Sequence, residues 1–299
     1  MIVQLPEKYD LCLTYSWCSF PQKMCGHLFE CIEYFYILKN HFKCCIFIGE
    51  DISLDFIAKT IQDKYIFTEI EIQEILDNII IKDHPKILKG KNVLITDGNF
   101  SKMTDKYLFF DNIMAFPCAD TMFKTMNNIT MFQDDRIYGK SKCKTINYIK
   151  KILLEKYKPI DCNIENVYML YTTKNARGVL PEELYQLENK FEGKFFLICD
   201  EYTKNLSDNF IQEKLPIENL FNKFSTYIYT PVKKKFDCSP RFLVECKYYN
   251  KEVIFFNIDY WEEDLGLYWR VYDIENNYES LFLKQDDKII NLIRDIICT

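Results

Sequence analysis

The chain reads as an α/β protein of two Rossmann-like domains facing each other across a cleft, with a C-terminal helix closing the fold. Three observations predict it. Short β-branched and aromatic runs alternate with stretches of helical periodicity along most of the 299 residues, the pattern of mostly parallel sheets built from strand-helix units. The alternation halts at Lys158, Pro159 and the polar stretch IDCNIEN, then restarts, which divides the chain into 1–158 and 159–299. With 48% hydrophobic and 16% aromatic residues, each half has enough apolar surface for its own core.

In the first half YDLCLTY is a strand, SWCSFPQKMCGH a loop and LFECIEYFYILKN a helix. FKCCIFIGE is the next strand, apolar on both faces as a buried parallel strand is, and a further helix begins near Asp51. KNVLITDG is a strand ending in a turn. YLFFDNIMAFPC is another, broken by Pro117, which has no amide hydrogen for a ladder. Residues 145–156 carry a helical pattern. No internal repeat or low-complexity tract is evident.

In the second half NVYMLYTTK, KFFLICD, STYIYTP and KEVIFF are strands. LPEELYQLENKF is a helix with Pro181 in the first turn, where a missing amide hydrogen costs nothing. ENLFNKF is a short helix and PRFLVECKYY a longer one. An amphipathic helix spans 286–298.

No apolar run approaches the roughly 20 residues that cross a bilayer. The N-terminal MIVQLPEKYDLCLTY lacks the basic and uninterrupted apolar regions of a secretory signal, so a cytoplasmic location is expected. Many of the 13 cysteines lie inside apolar runs, as Cys12, Cys44, Cys45 and Cys199 do, and read as reduced core thiols. There is no CxxC pair, and His27, His41 and His84 are scattered, so a metal site is not expected; Asp134 and Asp135 read as solvated carboxylates.

The net charge of −6 argues against a nonspecific nucleic-acid coat. Locally the balance reverses: from Arg136 to Lys158 the segment RIYGKSKCKTINYIKKILLEKYK holds a single acid, Glu155, among its cations. This is either a solvated face or a surface for an anionic acceptor, with Arg136, Lys140, Lys142, Lys144, Lys150 and Lys151 as its candidate contacts.

Chemistry in open α/β sheets collects in the loops after strands, and three loops stand out. In SWCSFPQKMCGHLFE, Gly26 allows close backbone approach at a helix start, and His27 beside it is either a general base or a polar residue of the helix cap. In TTKNARGVLPEE, Lys174 and Arg177 beside Gly178 suit a diphosphate whose departure builds negative charge. The third, in TPVKKKFDCSPRFLVEC, follows a strand ending at Thr230; Ser239 and Pro240 read as an N-cap and first helical residue, with Arg241 next and Glu245 able to accept from a ribose diol.

The SPR sequence followed by Glu245-Cys246, a spacer and the strand KEVIFF resembles the donor-binding signature of two-domain glycosyltransferases of the GT-B fold. The resemblance implies Glu245 on the donor ribose, Ser239 and Arg241 near the phosphates, and Arg177 or Lys174 on the leaving group. CGHLFE is similar to the Gly-Gly-His loop on the acceptor side of several such enzymes, with Cys25 in place of the first glycine. On this resemblance 1–158 is the acceptor-side domain, and 159–299 is the nucleotide-sugar domain with the terminal helix. The family includes phage enzymes that glycosylate hydroxylated bases in DNA, and the compact Ile-, Lys-, Asn- and Tyr-rich chain is similar to such viral proteins; by that analogy the basic segment from Arg136 to Lys158 would meet double-stranded DNA, and the location would be a host cytoplasm.

The expected activity is transfer of a sugar from a nucleoside diphosphate sugar, a UDP-sugar first, to a hydroxyl acceptor, a hydroxymethyl pyrimidine in phage DNA first, without an obligatory metal. His27 is the first candidate base and Asp97 the second; Asp97 reads equally as a turn former before Gly98. A surface glycan or lipid-linked acceptor is the rival for the same fold, and a catalytically silent nucleotide-binding protein is the rival from another class.

Overall fold

The computed structural model describes residues 2–15, 26–49, 52–82, 87–96, 108–116, 129–137, 143–160, 164–172, 181–214, 217–229, 240–256, 265–283 and 287–298. The chain forms two compact units, Met1–Tyr157 with Asn277–Thr299, and Lys158–Asn276. The return of Asn277–Thr299 to the first unit differs from the expected division, which kept the terminal helix with the second half.

Among the described residues of the first unit, one sheet has seven strands: β2 (Leu11–Tyr15), β3 (Cys44–Ile48), β4 (Ile79–Ile81), β6 (Asn92–Ile95), β8 (Asn112–Ala115), β9 (Ile129–Gln133) and β10 (Lys144–Asn147), in the order β10-β9-β8-β6-β2-β3-β4. Every neighbouring pair is parallel. From β2 the chain steps outward to β3 and β4, then returns to the other side of β2 at β6. This is the doubly wound order, with its reversal between β2 and β6. Helix α1 (Gly26–Leu38) packs on β2 and β3. Helix α2 (Leu54–Lys64) starts where the Ser53 hydroxyl accepts the Phe56 amide, and α3 (Glu69–Asp77) starts with a capping box between Thr68 and Glu71.

The other face of this sheet is covered by a second layer, the parallel sheet β1 (Ile2–Gln4), β5 (Ile87–Lys89) and β7 (Leu108–Phe109). Val3, Leu88 and Leu108 point inward and join Cys12, Cys45, Val93 and Ile95 in one core. Two-residue turns carry β5 into β6 and β7 into β8, so a short strand and a long strand recur as a unit. Leu88 pairs with Leu108 and Asn92 with Asn112, which makes the two units structural repeats that the sequence reading did not see. Gly90 is required at its turn, because a Cβ there would stand 2.6 Å from the Phe110 ring.

The expected single strand YLFFDNIMAFPC is therefore two strands in two layers. The expected helix over 145–156 is replaced by β10 at the sheet edge, an extended stretch and a 3-10 turn at Leu154–Lys156. Lys151, Ile152, Leu153 and Leu154 are buried in succession, which a helix with one apolar face cannot achieve.

In the second unit β11 (Val167–Tyr171), β12 (Lys194–Ile198), β13 (Phe210–Glu213), β14 (Thr226–Tyr229) and β15 (Glu252–Phe255) form a parallel sheet of order β13-β12-β11-β14-β15. This repeats the doubly wound order, with the reversal between β11 and β14. Helix α4 (Pro181–Lys190) lies between β11 and β12 in the chain, α5 (Arg241–Tyr248) between β14 and β15, and α6 (Leu265–Asn276) ends the unit. Leu170, Leu184, Leu187, Phe195, Leu197 and Ile228 form its core. ENLFNKF is only a 3-10 turn, Leu220–Asn222. The last helix, α7 (Lys288–Ile297), buries Ile289, Ile290, Ile293 and Ile296.

Candidate functional site

Where strand order reverses in a doubly wound sheet, loops from two neighbouring strands lead to opposite faces and leave a crevice beyond the carboxyl ends. In the first unit this is the end of β2 and β6. Thr96, just after β6, gathers the pieces: its hydroxyl lies 3.3 Å from the Thr14 carbonyl, 3.4 Å from the His27 carbonyl and 2.8 Å from Cys31 Sγ. These contacts seat the first turn of α1 on the end of β6. Gly26 and His27 are the first two residues of that helix, which begins two residues before the expected start at Leu28.

The His27 side chain turns to its own helix. Nδ1 lies 3.4 Å from Oε2 of Glu30, one turn on, and Lys150 Nζ donates to Oε1 and Oε2 of the same carboxylate at 2.9 and 3.0 Å. The side chains of His27, Glu30 and Lys150 are 23, 9 and 15% exposed. Lys150 also lies over the Phe116 ring, 5.6 Å from its centroid, at the end of β8. The sequence reading missed Glu30, though the spacing His-x-x-Glu on a helix was there to find. Nothing local signals Lys150, which arrives from beyond β10.

The basic segment does not form a lysine-lined helix. Lys150 is held by Glu30. Lys151 is buried, and its Nζ donates to the Ser280 carbonyl at 2.9 Å. Arg136 grips Asp134 through Nε at 2.8 Å and a terminal nitrogen at 2.6 Å, so Asp134 is a paired carboxylate and not a solvated one. Lys144 is exposed on the edge strand β10, where a charge discourages further strand pairing. Lys140, Lys142 and Asp97 lie outside the described residues.

In the second unit the reversal lies between β11 and β14. Phe242 of α5 sits 4.9 Å from the Tyr227 ring and 5.8 Å from the Tyr171 ring, edge to face in both cases, and so spans both strands. Pro240 is itself the N-cap, with an extended backbone, and the helix starts at Arg241, one residue later than the sequence suggests. Arg241 Nε donates to Glu245 Oε1 at 2.8 Å, one turn along the helix; the two side chains are 10 and 6% exposed. Burial, with Glu245 nearby, pushes the Tyr249 hydroxyl well above the usual tyrosine range. Helix α6 packs against α5 and buries Arg270 and Asp273. Thr230, Ser239, Lys174 and Arg177 lie outside the described residues.

Two open grooves, of about 620 and 540 Å³, lie at the opposite ends of the strands, one lined by Asp10, Lys43 and Cys44, the other by Asn166, Gly193 and Lys194. The reversal points rank above them as candidate sites, because there α1 and α5 bring the largely buried pairs Glu30–Lys150 and Arg241–Glu245 to carboxyl ends. Among the described residues no group of His, Cys, Asp and Glu could hold a metal ion, and no helix is long and apolar enough to cross a membrane. Cys12, Cys31, Cys44, Cys45, Cys143, Cys199 and Cys246 are buried free thiols. No family model, curated protein or solved structure matches the chain.

Proposed function

We propose that the chain is a glycosyltransferase that moves a sugar from a nucleoside diphosphate sugar to a hydroxyl acceptor. One observation carries the reading: α5, which bears the Arg241 and Glu245 pair, begins beyond β14 beside the β11/β14 reversal. That is where a doubly wound sheet binds nucleotides, and it is the segment whose sequence resembles the donor signature. The same strand order in the first unit, and the return of Asn277–Thr299 to that unit, fit a two-domain GT-B enzyme with a closing helix.

In this reading Glu245 accepts from the ribose diol, and Arg241 holds its carboxylate ionised and oriented. The diphosphate meets the amides at the start of α5, with Ser239 and Thr230 before it and Lys174 or Arg177 facing the leaving group. His27, or Asp97 in its place, takes the acceptor proton in an inverting transfer. A hydroxymethyl pyrimidine in DNA is the acceptor proposed from the resemblance. With Lys150, Lys151 and Arg136 paired within the chain, the exposed Lys144 is the described cation of the basic segment proposed to meet the backbone.

The test is donor hydrolysis without acceptor across a panel of sugar nucleotides, with thermal shift as the binding readout. The wild type should turn over one donor, and Glu245→Gln, compared with the wild type at a temperature where circular dichroism shows both folded, should lose most of the donor-induced shift, a change on the order of 1.5 to 3 kcal/mol in affinity. No shift and no turnover with any sugar nucleotide would remove the proposal. A shift without turnover would favour the silent nucleotide-binding protein.

A further inference from the structure

The carboxylate of Glu30 has two claimants. Lys150 Nζ contacts both of its oxygens, and Oε2 also faces His27 Nδ1 at 3.4 Å. A nearly buried carboxylate with no other cation would draw a proton onto the imidazole, because an adjacent negative charge favours the charged form of histidine. A base must be neutral when it meets the acceptor hydroxyl. With Lys150 in place, His27 faces an ion pair and not a bare anion.

We infer that Lys150 is a positioning residue for His27 that acts through Glu30: it holds the carboxylate beside the imidazole and keeps the imidazole neutral near neutral pH. This rests on His27 as the base of the proposed transfer. Several elements pack around this pair, and on α1 the Tyr34 hydroxyl also lies within the field of Glu30. On α1 the facing group is Glu30. From β6 comes Thr96, uncharged, with its hydroxyl 3.4 Å from the His27 carbonyl, and from β8 comes Phe116, beneath Lys150. After β10 come Lys150 itself and Lys151, whose Nζ is turned away to the Ser280 carbonyl. Lys150 stands far along the chain from Glu30, so the contact exists only when β10 is docked at the sheet edge.

With three histidines in the chain, the titration of His27 can be read directly by NMR on histidine-labelled protein, its signal assigned by loss in His27→Asn. Lys150→Met should raise the His27 midpoint by about half to one pH unit, and Glu30→Gln should lower it by a similar amount. Lys150→Arg, which keeps the cation, should titrate like the wild type. Thermal melts establish that each variant is folded; should Lys150→Met fail to fold, Lys150→Arg and Glu30→Gln carry the test. An unmoved His27 midpoint in folded Glu30→Gln and Lys150→Met would overturn the inference, leaving a structural ion pair. The titration needs no donor, so its failure is separate from that of the glycosyl-transfer reading. Shifted midpoints in a chain that turns over no sugar nucleotide would support the coupling and overturn the transfer.

Discussion

Asn112 donates its side-chain amide to Asn92 Oδ1 at 2.8 Å, and the same two residues are register partners across β8 and β6. Asn92 in turn donates to the Asp10 carbonyl at 2.7 Å, at the start of β2. A short asparagine ladder therefore ties the amino ends of neighbouring parallel strands at the points where the strand pairs of the two layers turn. Asn112→Ala leaves a buried oxygen of Asn92 without its donor, and should lower unfolding free energy by about 1 to 2 kcal/mol. Urea denaturation followed by circular dichroism checks this, and an unchanged midpoint would mean that water replaces the amide.

Gly193 stands before β12 with φ +154, and a Cβ there would lie 2.3 Å from the Asn166 carbonyl oxygen. That oxygen accepts the Lys194 amide at 2.9 Å, so it cannot withdraw without opening the turn into β12. Gly193→Ala should destabilise the second unit by about 2 kcal/mol or more, since backbone and not a flexible side chain must move. A denaturation midpoint within error of the wild type would refute the close approach.

Lys151 is buried and donates to Ser280 in the segment that returns to the first unit. Lys151→Glu should act on the fold: an acid in that place faces a carbonyl oxygen, and an uncompensated buried charge costs about 3 kcal/mol. The thermal midpoint should fall. Weakened DNA binding with unchanged stability would instead put Lys151 at a nucleic-acid surface.

Glu71 has a carboxyl held down at about 2: burial alone would raise it, but the Thr68 amide, the Tyr36 and Thr68 hydroxyls and Lys156 outweigh that. Its folded value lies below the unfolded one, so its stabilisation is complete above the ordinary carboxyl range and drains away as pH falls from about 4.5 towards 2. Glu71→Gln should be less stable than the wild type by about 1 kcal/mol at pH 7, with the gap closing over that window. A gap independent of pH would assign the effect to packing.

Local pattern alone determined much of this protein. The apolar runs of β2, β3, β6, β11, β12, β14 and β15 and the helices α1, α4, α5 and α7 were legible because each is long enough to show which faces it buries. Gly26 with His27 at the start of α1, and Arg241 and Glu245 as separate candidates on α5, were legible because each lies close to its helix start, whereas the pairing of Arg241 with Glu245 came from the structure. Tertiary structure decided the rest. The strands β1, β5 and β7 span two or three residues each, too few for a period, and exist because a second layer covers Cys12, Val93 and Ile95. Residues 145–156 have helical spacing in the sequence but an edge strand and an extended wrap in the fold, since pairing with β9 and burial on successive positions satisfy more groups than one helical face could. Whether a lysine in that wrap meets solvent, the Ser280 carbonyl or Glu30 depends on contacts between distant parts of the chain, and no local periodicity encodes those.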